Sequence, residues 1–184
     1  MKKYDVKLVQ LPQKVLREKS VDISLPLSQE DIDLAEKMIY HIDDSQKPGT
    51  KFRPGVGVAA VQYGVLKNMF YINSDFGPKN QHVRDVFINP KIIATSEQEI
   101  AIQEGEGCLS VGDNIKNQEG FVFRKNRIVF KAYSYFNQKE MTFDFVGYPA
   151  IVAQHEIDHL NGKLFIDHID KKQPWKDHPN SVKI

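Results

Sequence analysis

Two histidines flanking three residues, in His155-Glu156-Ile157-Asp158-His159, limit what this chain can fold into more than any other feature. Four residues is close to one α-helical turn, so on a helix both imidazoles leave the same face and can converge on one metal ion. Glu156 lies beside them, placed to take a proton from water activated there. The flanks favour a helix: Pro149 suits a first helical position, and Gly162 suits the left-handed residue just past the end. Ala150, Ile151, Val152, Ala153, Ile157 and Leu160 are apolar on most sides, which predicts a helix buried in the core. The competing reading is a core helix with two hydrogen-bonded histidines and an incidental glutamate. A buried Glu beside two buried His is costly without a cation, and this favours the metal.

A catalytic zinc-type site typically takes three protein ligands and a water. One common protease arrangement draws its third ligand from a later Glu, but no Glu follows Glu156. Another extends the motif to H-E-x-x-H-x-x-G-x-x-H; Gly162 fits, yet Phe165 stands where the last His should be. Asp167, His168 and Asp170 are downstream candidates in a short polar stretch. The better candidate is upstream, the lone cysteine Cys108.

At 184 residues the chain is long enough to bury a core, and residues 1–184 are expected to form a single catalytic domain. Hydrophobic residues at 41% and charged residues at 27% are ordinary for a soluble globular protein. Lysine plus arginine number 25 against 24 acids, so the net charge of +1 points to no nucleic acid and no membrane surface. One cysteine cannot make an internal disulfide, and no apolar run of signal-peptide or membrane-span length is present. These features predict a cytoplasmic protein.

Before residue 28 the chain is broken by Pro12 and Pro26, with a single turn at Val15-Leu16. Ser28 caps a predicted helix over 29–43, with Asp31 three residues on and Ile32, Ala35, Met38, Ile39 and Ile42 at helical spacing. Residues 43–54 read as a polar loop. Gly55-Val56-Gly57-Val58-Ala59-Ala60-Val61-Gln62 then turns apolar, and its glycines permit either close backbone approach to a ligand or merely a tight strand start. Short segments rich in β-branched and aromatic residues predict strands at 69–73, 86–89 and 91–95, with Pro90 breaking the last two apart. A further strand is expected at 99–103. Alternation over 126–135 and again at Met141, Phe143 and Phe145 predicts an antiparallel hairpin turning at Asn137-Gln138. Strands in succession followed by one buried helix give an α+β fold, antiparallel sheets packed around a C-terminal helix that carries the histidine motif. Residues 171–184 are polar and expected to be a loosely ordered tail.

Cys108 follows a Gly-rich turn, Glu104-Gly105-Glu106-Gly107. A lone Cys is more often a small buried hydrophobe. Here a two-histidine helix lacks a third ligand, and thiolate with imidazole suits Zn²⁺ or Fe²⁺. At this point three segments, GVGVAAVQ at 55–62, EGCLS at 106–110 and HEIDHLNG at 155–162, stand in the order of three known motifs, G-Φ-G-Φ-A-A-x-Q (Φ apolar), E-G-C-L-S and H-E-x-D-H-L-x-G. By these the chain resembles the peptide deformylases over most of its length, from about residue 28 to 170. Val61 departs from the pattern, since many members have proline before the Gln. The extended loop at 43–54 and Gly147-Tyr148-Pro149 are similar to the longer Gram-positive and mycoplasma-like subtype.

The resemblance implies removal of the formyl group from N-formylmethionyl nascent peptides, with release of formate. It implies one divalent metal ion per chain held by Cys108, His155 and His159: Fe²⁺ in the native enzyme, with Zn²⁺, Ni²⁺ or Co²⁺ able to substitute. Glu156 would carry the proton, and the Gln62 side chain and Leu109 N–H would stabilise the oxyanion. Backbone at Val56 and Gly57 would pair with the peptide, and Gly107, Tyr148, Ile151 and Val152 would line the methionine pocket. Glu106 would orient the site from behind the ligands. The implied partners are formylated nascent peptides and the ribosome, and the implied form is a monomer. Two rival readings are a metalloprotease of ordinary peptide bonds and a non-catalytic binder of formylated N-termini.

Overall fold

The computed structural model describes residues 3–75 and 82–184. Helix α1, Gln29–Ser45, begins with Ser28 accepting from the Asp31 N–H while the Asp31 carboxylate accepts from the Ser28 N–H, so two end donors are satisfied at once. It runs two residues beyond the predicted end. Leu34, Ala35, Met38, Ile39 and Ile42 form its buried stripe. Among the described residues no helix is long and apolar enough to cross a membrane.

The main sheet has five strands, β1 (Gly57–Ala59), β2 (Met69–Ser74), β3 (Val83–Thr95), β6 (Arg127–Ser134) and β7 (Lys139–Val146), in that spatial order. Every neighbouring pair is antiparallel. The alternation of strand side chains decides what each face meets. Val58, Met69, Tyr71, Val86 and Ile88 pack with the stripe of α1. Ala59, Phe70, Ile72, Phe87, Phe130 and Phe145 face the other way, onto Ala150, Val152, Ala153 and Leu160 of helix α2, Tyr148–Leu160. The sheet is therefore covered on both sides, which is why 69–72 reads as unbroken apolar sequence.

Pro90 does not divide β3. The register shifts between Ile88 and Lys91, and Asn89 adopts φ +53° within that irregularity. A bulge of this kind absorbs the missing proline N–H, and Asn tolerates the left-handed conformation better than most residues. The Asn89 side chain is also bound on both ends by the Ile23 backbone, at 2.8 Å each.

A second sheet of three short strands, ordered β5-β4-β8, consists of Arg124–Lys125, Glu99–Ala101 and Val182–Lys183. Its last strand corrects the expectation of a loosely ordered tail. Val182 and Lys183 pair in parallel with Ile100 and Ala101. Trp175 meets Phe121 edge-on at 5.1 Å, and His178 stacks on Phe123 at 3.7 Å. A two-residue strand has no period to detect, so polar composition concealed it.

Helix α2 starts after Gly147, at φ +72°, with Pro149 in its first turn. It ends as expected at Gly162, φ +70°, where the Lys163 N–H reaches Asp158 O at 2.9 Å and the Gly162 N–H reaches His159 O at 3.1 Å. A side chain at Gly162 would also collide with Arg17 O, at 2.5 Å from its Cβ.

Candidate active site

One turn of α2 separates His155 from His159, and their rings lie 5.0 Å apart. The segment leaving β4 brings Cys108 against them. The candidate ligand atoms of Cys108, His155 and His159 all lie within 4.8 Å of one another. His159 turns Nε2 to the Cys108 Sγ at 3.2 Å. His155 Nδ1 is taken by Glu106 Oε2 at 2.8 Å, which leaves Nε2 for the centre.

Glu106 is held in turn by Arg124, Nε to Oε1 at 2.5 Å and Nη2 to Oε2 at 2.9 Å. The third guanidinium nitrogen, Nη1, reaches Asp158 Oδ2 at 2.9 Å, and that oxygen also meets His168 Nε2 at 2.8 Å. Both Glu106 and Arg124 are almost fully buried. Burial alone would raise the Glu106 pKa, but the Arg124 charge and the hydrogen bonds from His155 and Arg124 prevail and hold it at about 2. Of the downstream ligand candidates, His168 is thus bound to Asp158, while Asp167 takes the Leu164 N–H and pairs with Arg17. Asp170 caps the Lys172 and Gln173 N–H groups.

Glu156 lies on the same helix, 3% exposed. Burial pushes its pKa up to about 7, against the opposing pull of His155 and Arg124. Among the described residues its Oε2 is buried without a hydrogen-bond partner. An orphaned carboxylate oxygen beside a cysteine sulfur and two imidazoles fits a site built to receive a cation and a polar ligand together.

Gln62 sits in a short 3₁₀ turn, Ala60–Tyr63, after β1. Its Oε1 accepts from the Ala59 N–H at 2.9 Å, and its Nε2 donates to Ser110 Oγ at 3.1 Å and lies 3.7 Å from Cys108 Sγ. Val56, Gly57, Gln62, Gly107, Cys108, Leu109, Tyr148, Ile151, Val152, His155 and Glu156 all line one cleft of about 610 Å³. His159 is fully buried and does not line it. A Cβ on Gly57 would come within 2.6 Å of Glu156 Oε1, whereas one on Gly107 would meet nothing within 4 Å. Gly57 is therefore needed for close approach, while Gly107 leaves space.

Sequence reasoning did not find Arg124, Asp158 or Ser110. A signal for the first was present: Arg124 directly follows the apolar run Phe121-Val122-Phe123. A guanidinium in such a run needs a buried carboxylate.

An α+β fold that gathers a cysteine sulfur and two imidazoles beside an orphaned carboxylate at the wall of one cleft defines a metal-dependent hydrolase. A family profile described as polypeptide deformylase matches residues 6–175. The peptide deformylase of Mycoplasmopsis pulmonis is 54% identical over 186 residues, covering 94% of each chain. That of Lacticaseibacillus casei is 43% identical over 177 residues, covering 93% of each. The chain belongs to the peptide deformylase family. Among solved structures, the peptide deformylase of Ehrlichia chaffeensis superposes with a TM-score of 0.74 at 28% identity, covering 92% of this chain and 90% of that one. The class I type b enzyme of Acinetobacter baumannii with Met-Ala-Ser bound gives 0.72 at 27%, covering 89% and 98%. The higher identities fall to mycoplasma and Gram-positive relatives, in line with the subtype the motifs resemble.

Proposed function

We propose that Glu156, Gln62 and the Leu109 N–H carry out the hydrolysis of the formyl group on formyl-methionyl peptides. Cys108, His155 and His159 would hold one divalent ion, Fe²⁺ in the native protein. When bound, the ion supplies Lewis-acid activation at the end of the cleft. Glu156 takes a proton from the attacking water as the new C–O bond forms at the formyl carbon. The oxyanion that develops accepts from Gln62 Nε2 and the Leu109 N–H. As the C–N bond breaks, Glu156 returns the proton to the leaving nitrogen, giving formate and a free amine.

The substrate would lie along β1, which is an edge strand. Val56 O already accepts from the Asn73 N–H at 2.8 Å. Antiparallel ladders alternate, so Gly57 is the residue whose N–H and C=O face the open edge. Of the two residues expected to pair through their backbone, Val56 already gives its carbonyl to Asn73, so Gly57 carries the ladder and Val56 lines the cleft. Tyr148, Ile151 and Val152 form the apolar wall suited to a methionine side chain, and Gly107 gives it room. The ribosome is the partner this substrate implies, and a cytoplasmic monomer of one catalytic domain is the form we assign.

The observation that carries the assignment is the Glu156 carboxylate, buried, unpartnered at Oε2 and poised near neutral pH. A proton carrier works best with a pKa near the operating pH. The test is Glu156→Gln, assayed for formate release from formyl-Met-Ala-Ser, with metal measured on the same anaerobically purified sample. The expected result is turnover reduced by about 10²–10⁴ with one ion per chain retained. Loss of the ion with turnover restored by added metal would make Glu156 a ligand instead. Cleavage of internal or acetylated peptides at comparable rates would favour the protease reading.

A further inference from the structure

We propose that Ser110 is a positioning residue that aims the Gln62 amide at the developing oxyanion; this rests on the oxyanion role assigned to Gln62 above. A primary amide has two N–H groups fixed about 120° apart in one plane. Anchoring one of them therefore sets the direction of the other.

In this chain Gln62 is 2% exposed and held at two points. The Ala59 N–H donates to Oε1 at 2.9 Å, so the oxygen cannot exchange places with the nitrogen without losing that bond. Nε2 gives one hydrogen to Ser110 Oγ at 3.1 Å. Among the described residues the remaining hydrogen has only the long 3.7 Å contact with Cys108 Sγ, a loose resting place from which it can turn to a substrate oxygen.

Ser110 is itself fixed. It is fully buried, its N–H lies 3.4 Å from Cys108 Sγ, and its carbonyl accepts from the Leu11 N–H at 3.0 Å. Those contacts are made by backbone and survive loss of the hydroxyl. The terminal torsion of a glutamine is broad and weakly restrained by its own chemistry. Without Ser110 Oγ the amide plane would be held by the Ala59 bond alone, and the free N–H would sweep across the cleft wall rather than point into it.

The experiment is a double-mutant cycle of Ser110→Ala and Gln62→Ala on metal-loaded protein, with kcat and KM for formyl-Met-Ala-Ser and metal content measured for each. Ser110→Ala alone is expected to lower kcat about 10-fold with KM within twofold, less than the 10²–10³ of losing the donor entirely. In the Gln62→Ala background it should cost less than twofold, because nothing remains to aim. Ser110→Thr, which keeps the hydroxyl, should recover most of the kcat. Additive losses, or a Ser110→Ala kcat within twofold of the parent, would overturn the proposal while leaving the Gln62 role intact. Full turnover in Gln62→Ala alone would refute the oxyanion reading and this proposal with it.

Discussion

Replacing Gly57 with alanine tests the geometry of the site more sharply than replacing any charged group. The backbone there has an ordinary φ, so alanine introduces no conformational strain, only a methyl group. That methyl would stand 2.6 Å from Glu156 Oε1, 3.1 Å from Glu156 Cδ and 3.0 Å from Val152 Cγ1. The carboxylate must retreat by about 0.8 Å to reach the 3.4 Å at which ordinary contact begins. It has little room, since Val152 lies one turn before it on a helix packed against the sheet. Stability should fall by the modest cost of overpacking, about 1–3 kcal/mol. Turnover should fall further, by about 10²-fold, because a misplacement near 1 Å of a reacting group costs on that order. The assay is formate release with kcat and KM separated, alongside metal content and a thermal melt. As a control on packing alone, Gly107→Ala has open space at its Cβ and should melt as the parent does. A folded, metal-replete Gly57→Ala enzyme with turnover within threefold of the parent would refute the argument that Glu156 works from this position.

Two further outcomes are expected. Glu106→Gln leaves the shape of the Arg124–Glu106 pair but removes its anion, so metal affinity measured by chelator competition should fall about 10–100-fold; unchanged affinity would show that Glu106 does not govern the His155 ring. Stability should also reveal His41, whose Nδ1 lies 2.8 Å from Tyr63 Oη and whose pKa is pushed down to about 4 by burial. The unfolded chain takes up this proton near pH 6.5 and the native protein only near pH 4, so its stabilising contribution is whole above about 6.5 and is lost as pH falls through that window, up to roughly 3 kcal/mol. The difference in unfolding free energy between the parent and His41→Gln, measured from pH 7 to 4, should shrink by that amount in the acid range; a constant difference would sink the reading.

The parts of this molecule that could be read from its sequence are those in which a local period carries the chemistry. A spacing of four between histidines makes a helical face, and alternation at 126–135 and 141–145 makes a hairpin. Ser28 and Asp31 make a cap from three residues' separation. What could not be read depends on the chain returning on itself. Pro90 looked like a break because its tolerance comes from Asn89 bound to Ile23, 66 residues away. Val182 and Lys183 became a strand only because β4 was there to receive them. The support for His155 combines both cases. Glu106 lies two residues from Cys108 within a motif, yet its partner Arg124 is 18 residues on and that residue's other acid, Asp158, is 34 further. The sequence nevertheless carried a trace of this arrangement. A guanidinium after Phe121-Val122-Phe123 cannot stay buried without anions, so that stretch required carboxylates from elsewhere in the fold. Local pattern could state the requirement, but only the packed sheets and helix determine that Glu106 and Asp158 meet it, and that in doing so they fix which nitrogen His155 turns to the centre.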